Sequence, residues 1–119
     1  MKKIEVIIRP EKISDVKSVL IQNGVGGFTM TEATGWSKQR ELHLQWRGQK
    51  IAYDLIPKIK IEIVVPDSMV ENLVRSIVET ARTDGGREGD GIIFVTTVDE
   101  AVNIVTSLSG ERAIVHSTP

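Results

Sequence analysis

A chain of 119 residues with 40% hydrophobic content has the length of one domain and enough apolar residues for its own core. With 15 basic and 16 acidic residues its net charge is −1, which excludes a nucleic-acid binder driven by bulk charge, and the lack of cysteine excludes disulfides, thiol catalysis and thiolate metal sites. No stretch approaches the roughly 20 apolar residues of a membrane helix. MKKIEVIIRP lacks an apolar run of signal-peptide length. The expectation is a cytoplasmic protein with no membrane insertion.

Lys2–Arg9 reads as a strand with Ile4, Val6 and Ile8 on one face and Ile7 on the other; Pro10, which has no amide donor, ends it. Glu11–Asn23 reads as a helix on the spacing of Ile13, Val16, Val19 and Leu20, closed by Gly24. Gly26 and Gly27 turn the chain into a threonine-rich strand, Phe28–Gly35. Ser37–Ile56 is too long and too polar for an ordinary connection, which usually runs about 4–6 residues. Within it Leu42, Leu44 and Trp46 alternate with His43 and Gln45, a strand period. A third strand, about Leu55–Val65, places Ile59, Ile61 and Ile63 opposite Lys58, Lys60 and Glu62. Pro66-Asp67-Ser68 starts a second helix, with Asp67 or Ser68 as N-cap and a stripe from Val70 through Leu73, Val74, Ile77 and Val78 to Ala81. Thr83–Gly91, with four glycines and two aspartates in nine residues, excludes regular structure. Ile92–Thr97 is a fourth strand, Asp99–Val105 is a short helix or strand, and Ser107–Pro119 is a tail that either folds back or stays mobile.

Two strand-helix-strand units in one chain predict an α+β, ferredoxin-like βαββαβ fold: a four-stranded antiparallel sheet with both helices on one face and the long loop between the second and third strands. The other face would be bare. Ile7, Val64 and Phe94 give it apolar side chains, which favours an oligomer.

The segments MKKIEVIIRPEKISDVKSVL, GVGGFTMTEATGW, DLIPKIKIEIVVPDSMVENLVRSIVETARTD and GDGIIFV together resemble the PII signal-transduction family, with spacing that holds without gaps from Met1 to about Thr83. The resemblance implies a single-domain homotrimer over residues 1–119, with a protruding target-binding loop at 37–55, a glycine-rich nucleotide loop at 83–91 and a tail at 107–119. It implies ATP or ADP as effector, with AMP and Mg2+ as further ligands, in clefts between subunits. It also implies docking onto a protein target, a membrane transporter or a metabolic enzyme of nitrogen use. By the same resemblance Gly27, Phe28, Thr29, Gly35, Trp36, Glu62 and Val64 line the adenine pocket. Ser37, Lys38, Gln39, Arg87, Gly89, Asp90 and Gly91 complete the nucleotide site, and Gln39 and Lys58 stand at the 2-oxoglutarate positions. From the residues alone, Gly89-Asp90-Gly91 between a helix and a strand is a loop whose amides can approach an anion, or else a plain connector. Asp90 repels phosphate unless its side chain caps the turn. Lys58, Lys60 and Glu62 also look like a solvated strand face.

The sequence departs from the family where phosphates are held. Gly-Asp-Gly is followed by Ile92 instead of a lysine, and Asn103 and Val105 stand at the positions of two arginines. Each such charge-assisted contact is worth roughly 1.5–3 kcal/mol. Arg87, in a loop two residues longer than the family's, ranks first among the substitutes, ahead of Arg82, Arg112 and Arg47. Ser37 and Glu41 replace glycines of the loop that wraps 2-oxoglutarate, which weighs against carbon sensing. Ile51 occupies the family's uridylylated tyrosine position, two residues before Tyr53. Leu42, Leu44, Trp46, Arg47 and Tyr53 are the target-binding candidates. The loop is either a hairpin that inserts into a partner with Trp46 as anchor, or one that packs on its own trimer.

Catalysis is not expected. His43 and His116 are the only histidines, and no Ser-His-acid, HExxH or Walker pattern is present. Asp84, Glu88 and Asp90 lack calcium-loop spacing, so no metal site is assigned. Two rival readings stand beside the regulator: a trimer of the same fold that binds another small ligand or a metal, and a docking module indifferent to nucleotide.

Overall fold

The computed structural model describes residues 1–36 and 55–114, together with the backbone of the strands at 42–46 and 49–53. The element order is β1 (Lys2–Ile8), α1 (Ile13–Gln22), β2 (Thr29–Gly35), β3 (Leu42–Trp46), β4 (Gln49–Tyr53), β5 (Ile56–Val65), α2 (Asp67–Ala81), β6 (Gly91–Thr97) and α3 (Glu111–Ile114). β2, β5, β1 and β6 form a four-stranded sheet in that order, with every neighbouring pair antiparallel. This is the expected ferredoxin-like arrangement, with a second, two-stranded sheet of β3 and β4 inserted between β2 and β5. The alternation of Leu42, Leu44 and Trp46 is realised as β3, whose register runs from Leu42↔Tyr53 to Trp46↔Gln49. Ser37–Glu41, Arg47, Gly48 and His116 lie outside the described residues, so the expectations for Ser37, Lys38, Gln39 and Arg47 do too.

The period-2 pattern does what it predicts. Ile4, Val6 and Ile8 of β1 and Ile61, Ile63 and Val65 of β5 are buried on one face. Against them pack Val16 and Leu20 of α1 and Leu73, Ile77 and Ala81 of α2. Each large side chain removed from water there contributes roughly 1.5–3 kcal/mol. Both helices therefore cover the same face. On the open face Lys3, Glu5, Lys60 and Glu62 alternate with Ile7, Val64, Ile92 and Phe94 across three strands.

Helix boundaries shift from the sequence expectation. The first helix opens with a 3-10 turn, Pro10–Lys12, because the fixed φ of proline suits an initiating turn. Its end is as expected: Gly24 takes φ 81°, and the Val25 amide bonds the Leu20 carbonyl at 3.0 Å. For α2, neither Asp67 nor Ser68 is the cap. Pro66 holds that position without a side-chain bond, and the Asp67 carboxylate turns instead to the Met1 amino group at 3.0 Å. Asp99–Val105 is neither helix nor strand. The Asn103 side-chain oxygen accepts the amides of Val105 and Thr106 at 2.9 and 3.1 Å, closing a turn that carries Ile104 98% exposed. The tail folds back as far as α3, where Ala113 is buried near β5.

Candidate functional site

The glycine-rich connection between α2 and β6 is built around Asp90. Its Oδ2 accepts the amides of Thr83 and Arg87 at 2.9 and 2.8 Å. Its Oδ1 accepts the Thr83 hydroxyl at 2.5 Å and Arg9 Nε at 3.0 Å. Asp90 therefore caps the turn. Partial burial pushes its carboxyl up, but the hydrogen bonds from Thr83, Arg87 and Arg9 outweigh this and hold it well below the usual aspartate range.

Glycine is required where the loop meets the sheet. Gly91 has φ 131°, and a Cβ there would collide with the Ile7 carbonyl oxygen. Gly85, Gly86 and Gly89 also have positive φ, and so does Asp84 at 44°. Two cations from the sheet hold the loop from outside. Arg9, just past the end of β1, donates Nη2 to the Glu88 carbonyl at 2.8 Å, in addition to its bond with Asp90. Lys58 of β5 donates its ammonium to the Gly89 carbonyl. Lys58 is only 9% exposed, so it is not part of a solvated strand face. Its stem crosses Gly35, where a Cβ would stand 3.3 Å from Lys58 Cγ. Two open recesses of about 540 and 250 Å³ share Pro10, Pro57 and Lys58 in their linings. A third, of about 660 Å³, lies between α2, β6 and the loop, with Arg82 and Arg87 among its lining residues.

The candidate residues fall into two groups within one chain. Gly35, Lys58, Gly89, Asp90 and Gly91 gather at one end of the sheet. Glu62 and Val64 lie further along β5, four and six residues from Lys58, or roughly 13 and 20 Å at strand rise. Thr29 pairs with Glu62, and Gly27 and Phe28 lead into that end of β2. Phe28 packs against the core, whereas Trp36 is 56% exposed. Glu62 sits in a charge ladder across the open face: Lys3 Nζ lies 2.5 Å from its Oε2 and Lys60 Nζ 3.6 Å from its Oε1. The hydrogen bond from Lys3 holds the Glu62 carboxyl below its ordinary value and raises Lys3.

Arg87, the first-ranked cation, is exposed and pairs with Asp84 at 2.9 Å. Arg9 and Thr83, which do most to shape the loop, were not singled out from the sequence. The signal available was a cation at a strand end next to a proline. Its partner lies 81 residues away, and only the β1–β6 pairing of Ile8 with Gly91 brings the two together. Among the described residues, no group of three or more His, Cys, Asp or Glu side chains is placed to hold a metal ion. No helix among them is long and apolar enough to cross a membrane.

A family model described as "Nitrogen regulatory protein P-II" matches residues 1–107. The chain is 46% identical over 114 residues to "Nitrogen regulatory protein P-II" of Azospirillum brasilense, covering 96% of this chain and 100% of that one. It is 43% identical over 114 residues to the protein of the same name from Haemophilus influenzae, with the same coverage. It is also 46% identical over 114 residues to "Nitrogen regulatory protein P-II 2" of Methanothermobacter thermautotrophicus, covering 96% of this chain and 97% of that one. A match over 107 residues of one fold, with these identities end to end, means that the chain belongs to the nitrogen regulatory protein P-II family.

Proposed function

We propose that this protein is a signalling regulator that binds adenine nucleotides in clefts between subunits of a homotrimer and passes their identity to a target protein through residues 37–55. The observation that carries the reading is the division of the candidate residues between the two ends of β5. A pocket using both Lys58 with the Asp90 loop and Glu62 with Val64 does not fit within one chain. A heterologous contact, in which one end of one subunit meets the other end of its neighbour, would bring the two groups together, and in the proposed trimer three such contacts close a ring. The open face, with Ile7, Val64, Ile92 and Phe94 beside a ladder of paired charges, is suited to such burial.

On this reading the loop 83–91 approaches the phosphates through its backbone, and Lys38 and Arg87 supply the side-chain charge. ATP, ADP and AMP then differ in how well they satisfy those cations. A difference in affinity between loop states is what lets a nucleotide bias the segment that meets the target. The 2-oxoglutarate response is expected to be weak, because Lys58 is committed to the Gly89 carbonyl and Glu41 adds like charge to the loop.

The test is titration calorimetry with ATP, ADP and AMP, each with and without Mg2+ and 2-oxoglutarate, alongside light scattering for assembly. Adenylate binding by a trimer, indifferent to 2-oxoglutarate, is the expected result. Binding strengthened by 2-oxoglutarate indicates a combined carbon and energy sensor. A monomer at micromolar concentration, or no adenylate binding, overturns the proposal in favour of another ligand or a nucleotide-independent docking module.

A further inference from the structure

We infer that Arg9 is a positioning residue for nucleotide binding, acting on the loop 83–91 and not on the ligand. The inference rests on the adenylate reading above. Three observations carry it. The first is that Arg9 spans two points of the loop with one planar group: Nε to Asp90 Oδ1 at 3.0 Å and Nη2 to the Glu88 carbonyl at 2.8 Å. A guanidinium makes both bonds from a rigid fork, whereas an ammonium is a single point charge. The second is that Asp90 fixes the loop's own backbone through the Thr83 and Arg87 amides, so whatever orients Asp90 orients the loop. The third is charge balance. A bare carboxylate in a loop meant for phosphates opposes binding, and Arg9, with its side chain only 17% exposed, neutralises it at close range. Pro10 follows directly and restricts Arg9 to extended backbone, with φ −64° and ψ 139°.

The role makes a graded prediction. A loop loosened by loss of Arg9 loses grip on phosphates, and the loss grows with the number of phosphates held. In Arg9→Met, ATP affinity falls at least about tenfold, ADP less and AMP least. Arg9→Lys keeps the charge but not the fork, and recovers only part of the loss. Because both substitutions break the Arg9–Asp90 bond, the Arg9→Met/Asp90→Asn double variant loses less than the sum of the two single losses. A purely structural role would instead lower all three affinities together with Tm. Calorimetry on the purified full chain and its variants reads the affinities, and amide hydrogen exchange reads the loop.

Full recovery by Arg9→Lys would show that Arg9 acts through charge alone and would overturn the positioning role. So would equal losses for ATP, ADP and AMP, or no loss at all. If the parent chain binds no adenylate, the proposed function fails, and the exchange arm alone decides the loop brace. Faster exchange at the Thr83 and Arg87 amides in Arg9→Met supports it, and unchanged exchange overturns it.

Discussion

Gly91 stands against Ile7 so closely that its missing side chain is a condition of the fold. Its φ of 131° is one that L residues rarely adopt, and a Cβ would run into the Ile7 carbonyl, which is backbone and cannot swing away. Gly91→Ala must therefore move β6 relative to β1 or distort the loop. Expected is a cost of about 2 kcal/mol or more, seen as a fall in Tm of roughly 5–15 °C. Gly85→Ala is the control. Its φ is also positive, at 81°, but nothing lies within 4 Å of the added carbon, so its cost stays near about 1 kcal/mol. Equal Tm losses in the two variants would show that the close approach is not the reason for glycine.

Lys58 gives a second contrast. Its stem lies against Gly35 and its ammonium reaches the Gly89 carbonyl, so it ties three segments together. Lys58→Met keeps most of the apolar stem and removes the donor. A half-buried carbonyl that loses its partner costs about 1–3 kcal/mol. Urea unfolding should show that loss, together with weaker adenylate binding. A variant as stable as the parent would mean that Lys58 contributes only packing.

The strands and helices were legible because one face of each is buried. Ile59, Ile61 and Ile63 alternate, and Leu73, Ile77 and Ala81 recur at helical spacing, because water is excluded from those faces alone. The same logic misleads at the end of a strand. Lys58 reads like Lys60 and Glu62, but the loop 83–91 covers it and leaves them half open. Local spacing has no access to that cover, which depends on how β5 and β6 flank β1. Asp90 was legible as a conditional, either repelling phosphate or capping the turn. The caps themselves involve Thr83 and Arg87 nearby and Arg9 across 81 residues. Asp99–Val105, which reads as a short helix or strand, is neither, because the Asn103 side chain and not backbone periodicity holds that turn.

Arg87 and Asp84 make a prediction of opposite signs. The pair is exposed, so it contributes little to stability, about 0–1 kcal/mol. It nevertheless occupies the cation proposed for phosphate. Asp84→Asn releases Arg87, removes a like charge, and keeps a residue type that tolerates the φ of 44°. ATP affinity should rise about threefold to tenfold, while Arg87→Ala and Lys38→Ala should each lower it about tenfold. The Asp84→Asn/Arg87→Ala double variant should bind no better than Arg87→Ala. If Asp84→Asn leaves affinity unchanged and Arg87→Ala does too, the phosphate cation lies elsewhere, and Arg82, beside the same recess, is the next to test.

Asp90 sets the acid limb of stability. Its folded carboxyl lies below the ordinary aspartate value of about 3.9, so its ionised form stabilises the fold. That contribution is fully present above the unfolded value, from roughly pH 5 upward, and is lost as pH falls through the lower folded value. Asp90→Asn lacks it at every pH and also places an amide group among the donors of Thr83, Arg87 and Arg9. The variant should therefore be less stable than the parent by about 1–3 kcal/mol at neutral pH, with the gap narrowing below roughly pH 4. The shifted Glu62 and Asp67 are present in both proteins, so their contributions cancel in the difference. Urea unfolding of both proteins from pH 7 to pH 3 measures the gap directly. A gap that stays constant across that range would mean that the four bonds to Asp90 depend on its shape and not on its charge.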